Sequence, residues 1–263
     1  MAPNENMWPA PLNALRERIG ASRVYAAAGE DTSDMRRFLI VTSGRAGSEL
    51  LTSLLASHPM VMCDTELLSE KRRDPERFVA GRVAQAKRLG KAAYGFKAKP
   101  KDILETQEFE RAADWIRQKA SEGWLIIRLA RRDWMQQAIS NVRASQTQWH
   151  FRDGEAPPFE PIAIDPYVLI GNMCQVAYYE RQIDDLLADV TYTPLTYEID
   201  LREPAVQAAT VDRLCQALSL PLYPTSTNLV RVHPSETRKM VTNYDEIAEV
   251  LRRNEFAHFL EGH

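Results

Sequence analysis

Apolar residues are distributed along the chain in two alternating patterns. Short, nearly continuous apolar runs predict β-strands at 37–43, 60–63, 92–98, 124–130 and 191–198. Segments with a period close to 3.6 predict α-helices at 12–28, 46–57, 74–89, 108–121, 133–149, 167–188, 204–218 and 243–253. Because strands that alternate with helices build βαβ units, we expect an α/β fold, a three-layer sandwich in which helices flank a mostly parallel central sheet.

Length and composition favour a single domain over residues 1–263. The chain is 44% hydrophobic and 26% charged, which is typical of a globular protein with a sizeable core. We interpret residues 1–35 as an N-terminal extension that contains a short helix. The proline-rich segment 151–166 is a loop by composition, and long loops often bind substrates. We expect this loop and the region 65–92 to shape a substrate pocket.

Charge and cysteine usage narrow the classes of partner. The formal net charge is -3, so no overall positive field would draw the protein onto nucleic acid or anionic lipid. Cys63, Cys174 and Cys215 lack metal-ligand spacing and are odd in number, which favours reduced thiols and no metal site. The sequence lacks a secretory signal pattern and any run of eighteen apolar residues. We expect a cytoplasmic protein without a membrane span.

A glycine-containing turn joins the first strong strand to the helix that follows it. Residues 43–48 read SGRAGS, in which Gly44 and Gly47 let the backbone wrap closely, Arg45 supplies a cation and Ser48 a hydroxyl. The unsatisfied N–H groups of a helix start, together with the helix dipole, suit a phosphate. A simple chain reversal is the alternative interpretation, and the rest of the sequence has to decide between them.

The turn departs from the Walker A pattern of nucleotide kinases and ATPases. That pattern has four residues between its glycines and a Lys-Ser/Thr pair after the second glycine. Here two residues separate the glycines, and Ser48 and Glu49 follow Gly47. The departure disfavours an ordinary ATPase or nucleotide kinase, although the strand-loop-helix architecture is P-loop-like.

A second basic constellation follows the strand at 124–130. Arg131, Arg132 and Asp133 stand at its end, and Ser140 comes eight residues after Arg132 in the next predicted helix. Because eight residues make a little over two helical turns, Arg132 and Ser140 can face one ligand. In the alternative interpretation the arginines are the solvated start of a helix that Asp133 caps. The spacing alone leaves both interpretations open.

Taken together, the two stretches resemble the sulfotransferases, most closely the bacterial branch related to trehalose and lipopolysaccharide sulfotransferases. The family loop reads Arg-Ser-Gly-Ser-Thr-Leu-Leu, and the matching residues are Arg45, Ala46, Gly47, Ser48, Glu49, Leu50 and Leu51. The resemblance implies that this loop, with Gly44 before it, grips the 5′-phosphosulfate of 3′-phosphoadenosine 5′-phosphosulfate (PAPS). It also implies that Arg132 and Ser140 hold the 3′-phosphate.

The likeness to this family extends over about 37–260. TYEID at 196–200 is similar to a family segment whose tyrosine lies near the adenine, which implies that role for Tyr197. A core tyrosine with a satisfied hydroxyl is the alternative. Further similar segments are GFK at 95–97, QAIS at 137–140, Ala144, QT at 146–147, WH at 149–150 and NYDEI at 243–247.

The resemblance implies a transferase that uses PAPS as donor, releases 3′-phosphoadenosine 5′-phosphate (PAP) and needs no metal. Its acceptor would be a hydroxyl, with an amine as second choice, on a small molecule or carbohydrate, and a homodimer stays open. A catalytically inactive relative that binds a nucleotide or a partner is an alternative from another class. A small-molecule kinase is a weaker one, since no lysine follows Gly47.

Sulfuryl transfer needs a base for the acceptor proton and positive charge near the sulfonate. In the bacterial branch the base is a glutamate some seventeen residues after the last threonine position of the loop, and that count from Glu49 leads to Glu66. Lys97 is the candidate cation for the leaving phosphate or the acceptor. His58 and His150 stay open as alternative bases, because other sulfotransferases use histidine.

Other residues compete for these roles or add to them. Asp64 and Glu70 are carboxylates close to Glu66 in the sequence, and either could be confused with it. The structural alternative for His58 is packing at a helix end. Arg238 and Lys239 are candidates for added charge near the 3′-phosphate, in place of an Arg-Lys-Gly loop that many relatives use.

Two loop residues depart from the family pattern. Ala46 lacks a hydroxyl, which backbone amides can replace. Glu49 places a carboxylate where the family has a threonine that touches the 5′-phosphate. A negative charge about 4 Å from a phosphosulfate costs roughly 1 kcal/mol in a wet site and several in a dry one. Glu49 therefore pairs with Arg45 or another cation, serves the acceptor, or marks a site that has lost its donor.

Overall fold

The computed structural model describes residues 20–147, 159–229, 234 and 236–260, and its centre is a five-stranded sheet. The strands are β1 (Arg36–Thr42), β2 (Val61–Asp64), β3 (Ala93–Ala98), β4 (Leu125–Ala130) and β5 (Thr193–Thr196). They lie in the order β2-β3-β1-β4-β5, and every neighbouring pair is parallel. The α/β class expected from the sequence is therefore confirmed.

The α-helices are α1 (Ser48–Ser57), α2 (Pro75–Arg88), α3 (Ala112–Ser121), α4 (Trp134–Thr147), α5 (Pro166–Leu187), α6 (Pro204–Ala217) and α7 (Tyr244–Arg252). Residues 20–27 are also helical and precede β1. Two π-helical segments are Lys101–Thr106 and Tyr197–Leu201, and two 3-10 turns are Thr237–Lys239 and Ala257–Leu260. Most predicted helices are found with their ends moved by one or two residues.

Alternate residues of β1 belong to two different hydrophobic clusters. Leu39 and Val41 pack in one cluster with residues of α2, α3 and α5, while Phe38 and Ile40 pack in the other with residues of α1 and α6. All four side chains are fully buried. A strand that is covered on both faces has no solvent-facing positions, which explains its continuous apolar run. The sandwich therefore has three layers, as expected.

A third cluster joins α4, α5 and α7. It contains Met135 and Ile139 from α4, Met173 from α5, and Ile247 and Leu251 from α7. These apolar residues recur at helical spacing, so each helix presents one stripe to the cluster. The cluster fixes α4, which carries part of the candidate site, against the C-terminal helix.

Two predicted elements are shorter in the structure. The helix expected at 108–121 begins at Ala112, because the preceding residues form a π-helical segment and a turn. The strand expected at 191–198 is reduced to Thr193–Thr196, which lies at the sheet edge, the place where a strand tolerates Pro194. Residues 12–19 of the helix expected at 12–28 and residues 151–158 of the loop expected at 151–166 lie outside the described residues.

The close packing of β3 against β1 yields a stability prediction for Gly95. Gly95 pairs with Phe38, and a Cβ atom at position 95 would lie 2.3 Å from the Phe38 ring. Gly95→Ala is expected to lower the free energy of unfolding by about 1–3 kcal/mol, since overpacking forces the surroundings to move. Urea denaturation measures this change. Gly171→Ala in α5, where a Cβ atom meets no atom within 4 Å, should instead raise the free energy of unfolding. Equal effects of the two variants would contradict the close packing of Gly95 against Phe38.

Candidate active site

The carboxyl ends of parallel strands meet at one edge of the sheet, where ligands of such folds bind. The turn between β1 and α1, residues 43–47, is called the β1–α1 loop. Gly47 is the N-cap residue of α1 with φ 88°, and Arg45 also has a positive φ, 62°. A Cβ atom at position 47 would lie 2.4 Å from Cδ2 of Tyr197. Both the backbone conformation and this close approach therefore require glycine.

The two basic motifs of the sequence meet in space. Nε of Arg45 donates a hydrogen bond of 3.1 Å to Oγ of Ser140, although 95 residues separate them. Ser140 lies in α4 and is buried. Burial lowers the pKa of the Arg45 guanidinium, while the charge of Glu49 opposes the shift. Arg45 still carries its positive charge, because an arginine pKa lies far above neutrality.

Of the two arginines after β4, Arg131 is the one that contacts the β1–α1 loop. Its Nη1 donates to the carbonyl oxygen of Arg45 at 3.2 Å, and its guanidinium lies 4.8 Å from the centre of the Tyr197 ring. Arg132 is exposed and is not among the cavity-lining residues. Successive residues at a strand end point to opposite sides, so one of two adjacent arginines faces the loop. That alternation indicates that one of the two arginines reaches the loop, but it does not say which one.

Glu198, which the sequence interpretation did not single out, fixes the start of α4. Its carboxylate accepts hydrogen bonds from the backbone N–H groups of Arg132 and Asp133, at 3.0 and 3.1 Å. Asp133 accepts from the N–H of Gln136 at 2.8 Å, which is the capping role considered for it. Because Glu198 directly follows Tyr197, one short segment both places the tyrosine over the loop and orients α4.

A cluster of two lysines and two glutamates lies where β2 and β3 end. Lys97, in β3, is 3% exposed and forms an ion pair with Glu49 of α1. Nζ of Lys97 lies 3.4 Å from Oε1 of Glu66, and Nζ of Lys99 lies 3.0 Å from the same oxygen. We call these four residues the Lys97 cluster. Of the arrangements considered for Glu49, pairing with a nearby cation is the one found, and Lys97 is the partner.

Glu66 is about half exposed, and its surroundings favour the ionised form. Partial burial alone would raise the pKa of its carboxyl. The hydrogen bond and charge of Lys99, followed by those of Lys97, outweigh burial and hold the pKa below its usual value. Glu66 is therefore a carboxylate at neutral pH, which is the form that can accept a proton.

The carboxylates that compete with Glu66 in the sequence have other surroundings. Arg82 donates two hydrogen bonds to the carboxylate of Asp64, at 2.8 and 2.7 Å, and the hydroxyl of Tyr94 donates a third at 2.7 Å. Glu70 is exposed and pairs with a neighbouring arginine. Neither residue lines the cavity described below, whereas Glu66 does. Asp64 instead holds the end of β2 in place.

His58 is fully buried after the end of α1. Its Nδ1 accepts from the N–H of Met60 at 3.1 Å, so Nε2 carries the proton and donates to the carbonyl of Pro221 at 2.9 Å. The ring also makes an edge contact with Tyr223. Both ring nitrogens are engaged, so His58 packs at a helix end and does not reach an acceptor. His150, the other candidate histidine, lies outside the described residues.

Arg238 and Lys239 lie in the 3-10 turn before α7, and the structure does not bring them to the β1–α1 loop. Arg238 pairs with Asp245 and lies 4.8 Å from the centre of the Tyr244 ring. Lys239 pairs with Glu236 at 2.7 Å. Both side chains are exposed, and neither lines the cavity.

One cavity of about 1120 Å³ brings the remaining candidates together. Its lining also includes residues from the start of α6 and from segment 225–229. Ala46, within the β1–α1 loop, is fully buried and does not line the cavity. Of the residues predicted from the sequence, the cavity is lined by Gly44, Arg45, Gly47, Ser48, Glu49, Glu66, Lys97, Ser140 and Tyr197.

Two further features bear on the site and its setting. Within residues 20–147, 159–229 and 236–260, no group of three or more His, Cys, Asp or Glu side chains is placed to hold a metal ion. In the same part of the chain, every helix is too short or too polar to span a bilayer.

Solved structures that are similar to this chain include two sulfotransferases. A sulfotransferase from Alicyclobacillus acidocaldarius shares 14% identity at a TM-score of 0.48, covering 86% of this chain and 93% of that one. The sulfotransferase domain of the Synechococcus PCC 7002 olefin synthase shares 16% identity at a TM-score of 0.38, covering 81% and 83%. No family model and no curated protein matches the sequence. The assignment of a function therefore rests on the residues of the cavity.

Proposed function

We propose that the protein is a PAPS-dependent sulfotransferase that moves a sulfuryl group to a hydroxyl of a small molecule or carbohydrate, with an amine as second choice. The observation that carries the proposal is the hydrogen bond between Arg45 and Ser140 inside the cavity. The sequence resemblance pairs these two motifs as one donor site. Lys97 and Glu66 line the same cavity, so a candidate base lies beside a candidate anion site.

The residues of the β1–α1 loop suit an anionic donor. The N-cap residue of α1 is Gly47, which has no side chain to cap the helix, so the first N–H groups of α1 can bind another partner. The helix dipole and the guanidinium groups of Arg45 and Arg131 add positive potential. Pockets for a single ligand measure about 300–1000 Å³, so a cavity of about 1120 Å³ has room for a nucleotide and an acceptor.

Glu66 would act as the general base. In the proposed reaction the acceptor oxygen bonds to sulfur while the bond between sulfur and the bridging phosphate oxygen breaks. The carboxylate of Glu66 takes the acceptor proton, and the negative charge stays on the bridging oxygen of PAP. Lys99 and Lys97 keep Glu66 ionised, so the carboxylate is ready for this proton.

Lys97 would stabilise the charge that develops during transfer. Its ammonium group lies between Glu49 at the start of α1 and Glu66 after β2. Because Lys97 is almost fully buried, its charge acts in a low-dielectric environment, where it stabilises a transition state more than in water. In this account Glu49 positions Lys97 and does not bind the donor.

The pH dependence of turnover follows from the surroundings of Glu66. Lys99→Met removes the largest interaction that lowers the pKa of Glu66, so this pKa rises. The acid limb of the profile of kcat/KM against pH should then move to higher pH, because the base becomes protonated earlier as pH falls. Lys101→Met, at an exposed position two residues later, should leave the limb in place. An unchanged limb in Lys99→Met would contradict the assignment of the base.

A catalytically inactive nucleotide-binding protein is the second candidate, because Glu49 adds a carboxylate to the first turn of α1. The test is incubation with PAPS and a panel of hydroxylated small molecules and sugars, with release of PAP as the readout. Release that depends on the acceptor supports the sulfotransferase. Binding of PAP without release for any acceptor favours the inactive protein, and phosphoryl transfer from ATP would indicate the kinase.

A further inference from the structure

Two carbonyl groups of the β1–α1 loop are held by side chains of the β4–α4 region. Nε2 of Gln137 donates to the carbonyl oxygen of Gly44 at 2.6 Å, and Nη1 of Arg131 donates to that of Arg45 at 3.2 Å. A trans peptide group is planar, and its N–H points opposite to its carbonyl. The N–H groups of Arg45 and Ala46 therefore point away from the side chains that hold the carbonyls.

This orientation matters for an anion. Carbonyl oxygens carry partial negative charge and repel a phosphate, whereas backbone N–H groups attract it. Gln137 and Arg131 engage two oxygens that would otherwise be free to turn toward the anion. Because Arg45 and Gly47 have positive φ angles, the loop needs such ties to hold its conformation.

Gln137 also begins a buried chain of hydrogen bonds. Its Nε2 donates to Oγ of Ser43 at 2.9 Å, and that hydroxyl donates to Oε1 of Glu180 at 2.6 Å. Glu180 lies 3.4 Å from Nη2 of Arg128. Gln137 and Ser43 are each 1% exposed, and Glu180 is 6% exposed. Because the group of Gly44 that meets Gln137 is a carbonyl oxygen, the amide nitrogen of Gln137 has to face it, and the chain fixes that orientation.

We propose that Gln137 is a positioning residue for the β1–α1 loop. Gln137 is not among the cavity-lining residues, so it acts through the hydroxyl of Ser43 and the backbone carbonyl of Gly44 and does not touch the donor. It sets the loop in the anion-binding conformation before the donor arrives, which lowers the cost of binding. The inference rests on the proposed function for the identity of the anion, but the conformation of the loop can be measured without any ligand.

The test compares Gln137→Leu with Gln107→Leu. Gln107 is a matched control because it is 5% exposed and its Nε2 also donates to two carbonyls, those of Leu68 and Glu70, at 2.8 and 2.6 Å. The dissociation constant for PAP is measured by calorimetry, and kcat at saturating PAPS by release of PAP. Hydrogen exchange of the amides at 44–48 is measured by mass spectrometry without ligand.

Gln137→Leu should raise the dissociation constant for PAP about tenfold and speed amide exchange at 44–48, while kcat at saturating donor falls less than about threefold. Gln107→Leu should lose stability but leave both loop measurements unchanged. Unchanged exchange in Gln137→Leu, or equal effects of the two variants, would overturn the proposal.

Two further outcomes keep the test decisive. If the wild-type protein does not bind PAP, the proposed function fails, whereas faster exchange in Gln137→Leu alone still supports the role of Gln137. If Gln137→Leu does not fold, Ser43→Ala removes the second partner of the same amide and should speed exchange at 44–48. An unchanged exchange rate in Ser43→Ala would then overturn the inference.

Discussion

Glu66→Gln is expected to lower kcat by about 10²- to 10⁴-fold, the usual contribution of a general base. The amide keeps the size of the side chain but cannot take the acceptor proton. Binding of PAP should be unchanged or slightly tighter, because one negative charge leaves a cavity that holds an anion. Release of PAP measures turnover, and calorimetry measures binding of the nucleotide.

Glu70→Gln is the matched control, since Glu70 is a nearby carboxylate that is exposed and lies outside the cavity lining. It should retain wild-type turnover. A Glu66→Gln protein that loses turnover and PAP binding to the same extent would assign Glu66 to the donor site. Full activity of Glu66→Gln would exclude it as the base.

Lys97→Met is expected to lower kcat by about 10²- to 10³-fold, as the removal of one transition-state donor typically does. The variant should also lower the free energy of unfolding by about 1–3 kcal/mol, because the carboxylate of Glu49 loses its partner. The loss is smaller than for a fully buried pair, since Glu49 is 31% exposed. Urea denaturation measures stability, and release of PAP measures turnover.

The double variant Lys97→Met with Glu49→Gln separates the two effects. Glu49→Gln removes the unpaired negative charge, so most of the lost stability should return. Turnover should stay low, because the cation near the reacting groups is still missing. A double variant that regains turnover would show that Lys97 only neutralises Glu49 and takes no part in the transfer.

The sheet could be predicted from the sequence because β1 is buried on both faces, and a strand buried in this way needs a continuous apolar run. The run consists of Phe38, Leu39, Ile40 and Val41. Successive side chains of a strand point to opposite faces, so these residues alternate between the two hydrophobic clusters. The end of β5 could not be predicted in the same way. Asp200, in the π-helical segment that follows β5, accepts a hydrogen bond of 2.7 Å from the N–H of Thr196, the last residue of the strand.

The sequence pointed to several cavity-lining residues where a single motif contains them. Ser140 was identified by its spacing from Arg132, and Arg45 by the glycine-containing turn. The two side chains are in contact in the structure, and their roles are part of the proposed function. Arg131, Gln137 and Glu198 escaped prediction because their partners lie on other elements, and only the packing of α4 against the sheet brings them together. The sequence around each of these residues does not indicate which distant residue it contacts.

Calorimetric titration of the wild-type protein with PAP and with ATP shows whether the cavity binds a 3′-phosphoadenosine nucleotide. PAP should bind at micromolar or lower concentration and raise the unfolding temperature, while ATP at the same concentration should have little effect. No binding of PAP, or tighter binding of ATP, would mean that the cavity is not a donor site for sulfuryl transfer.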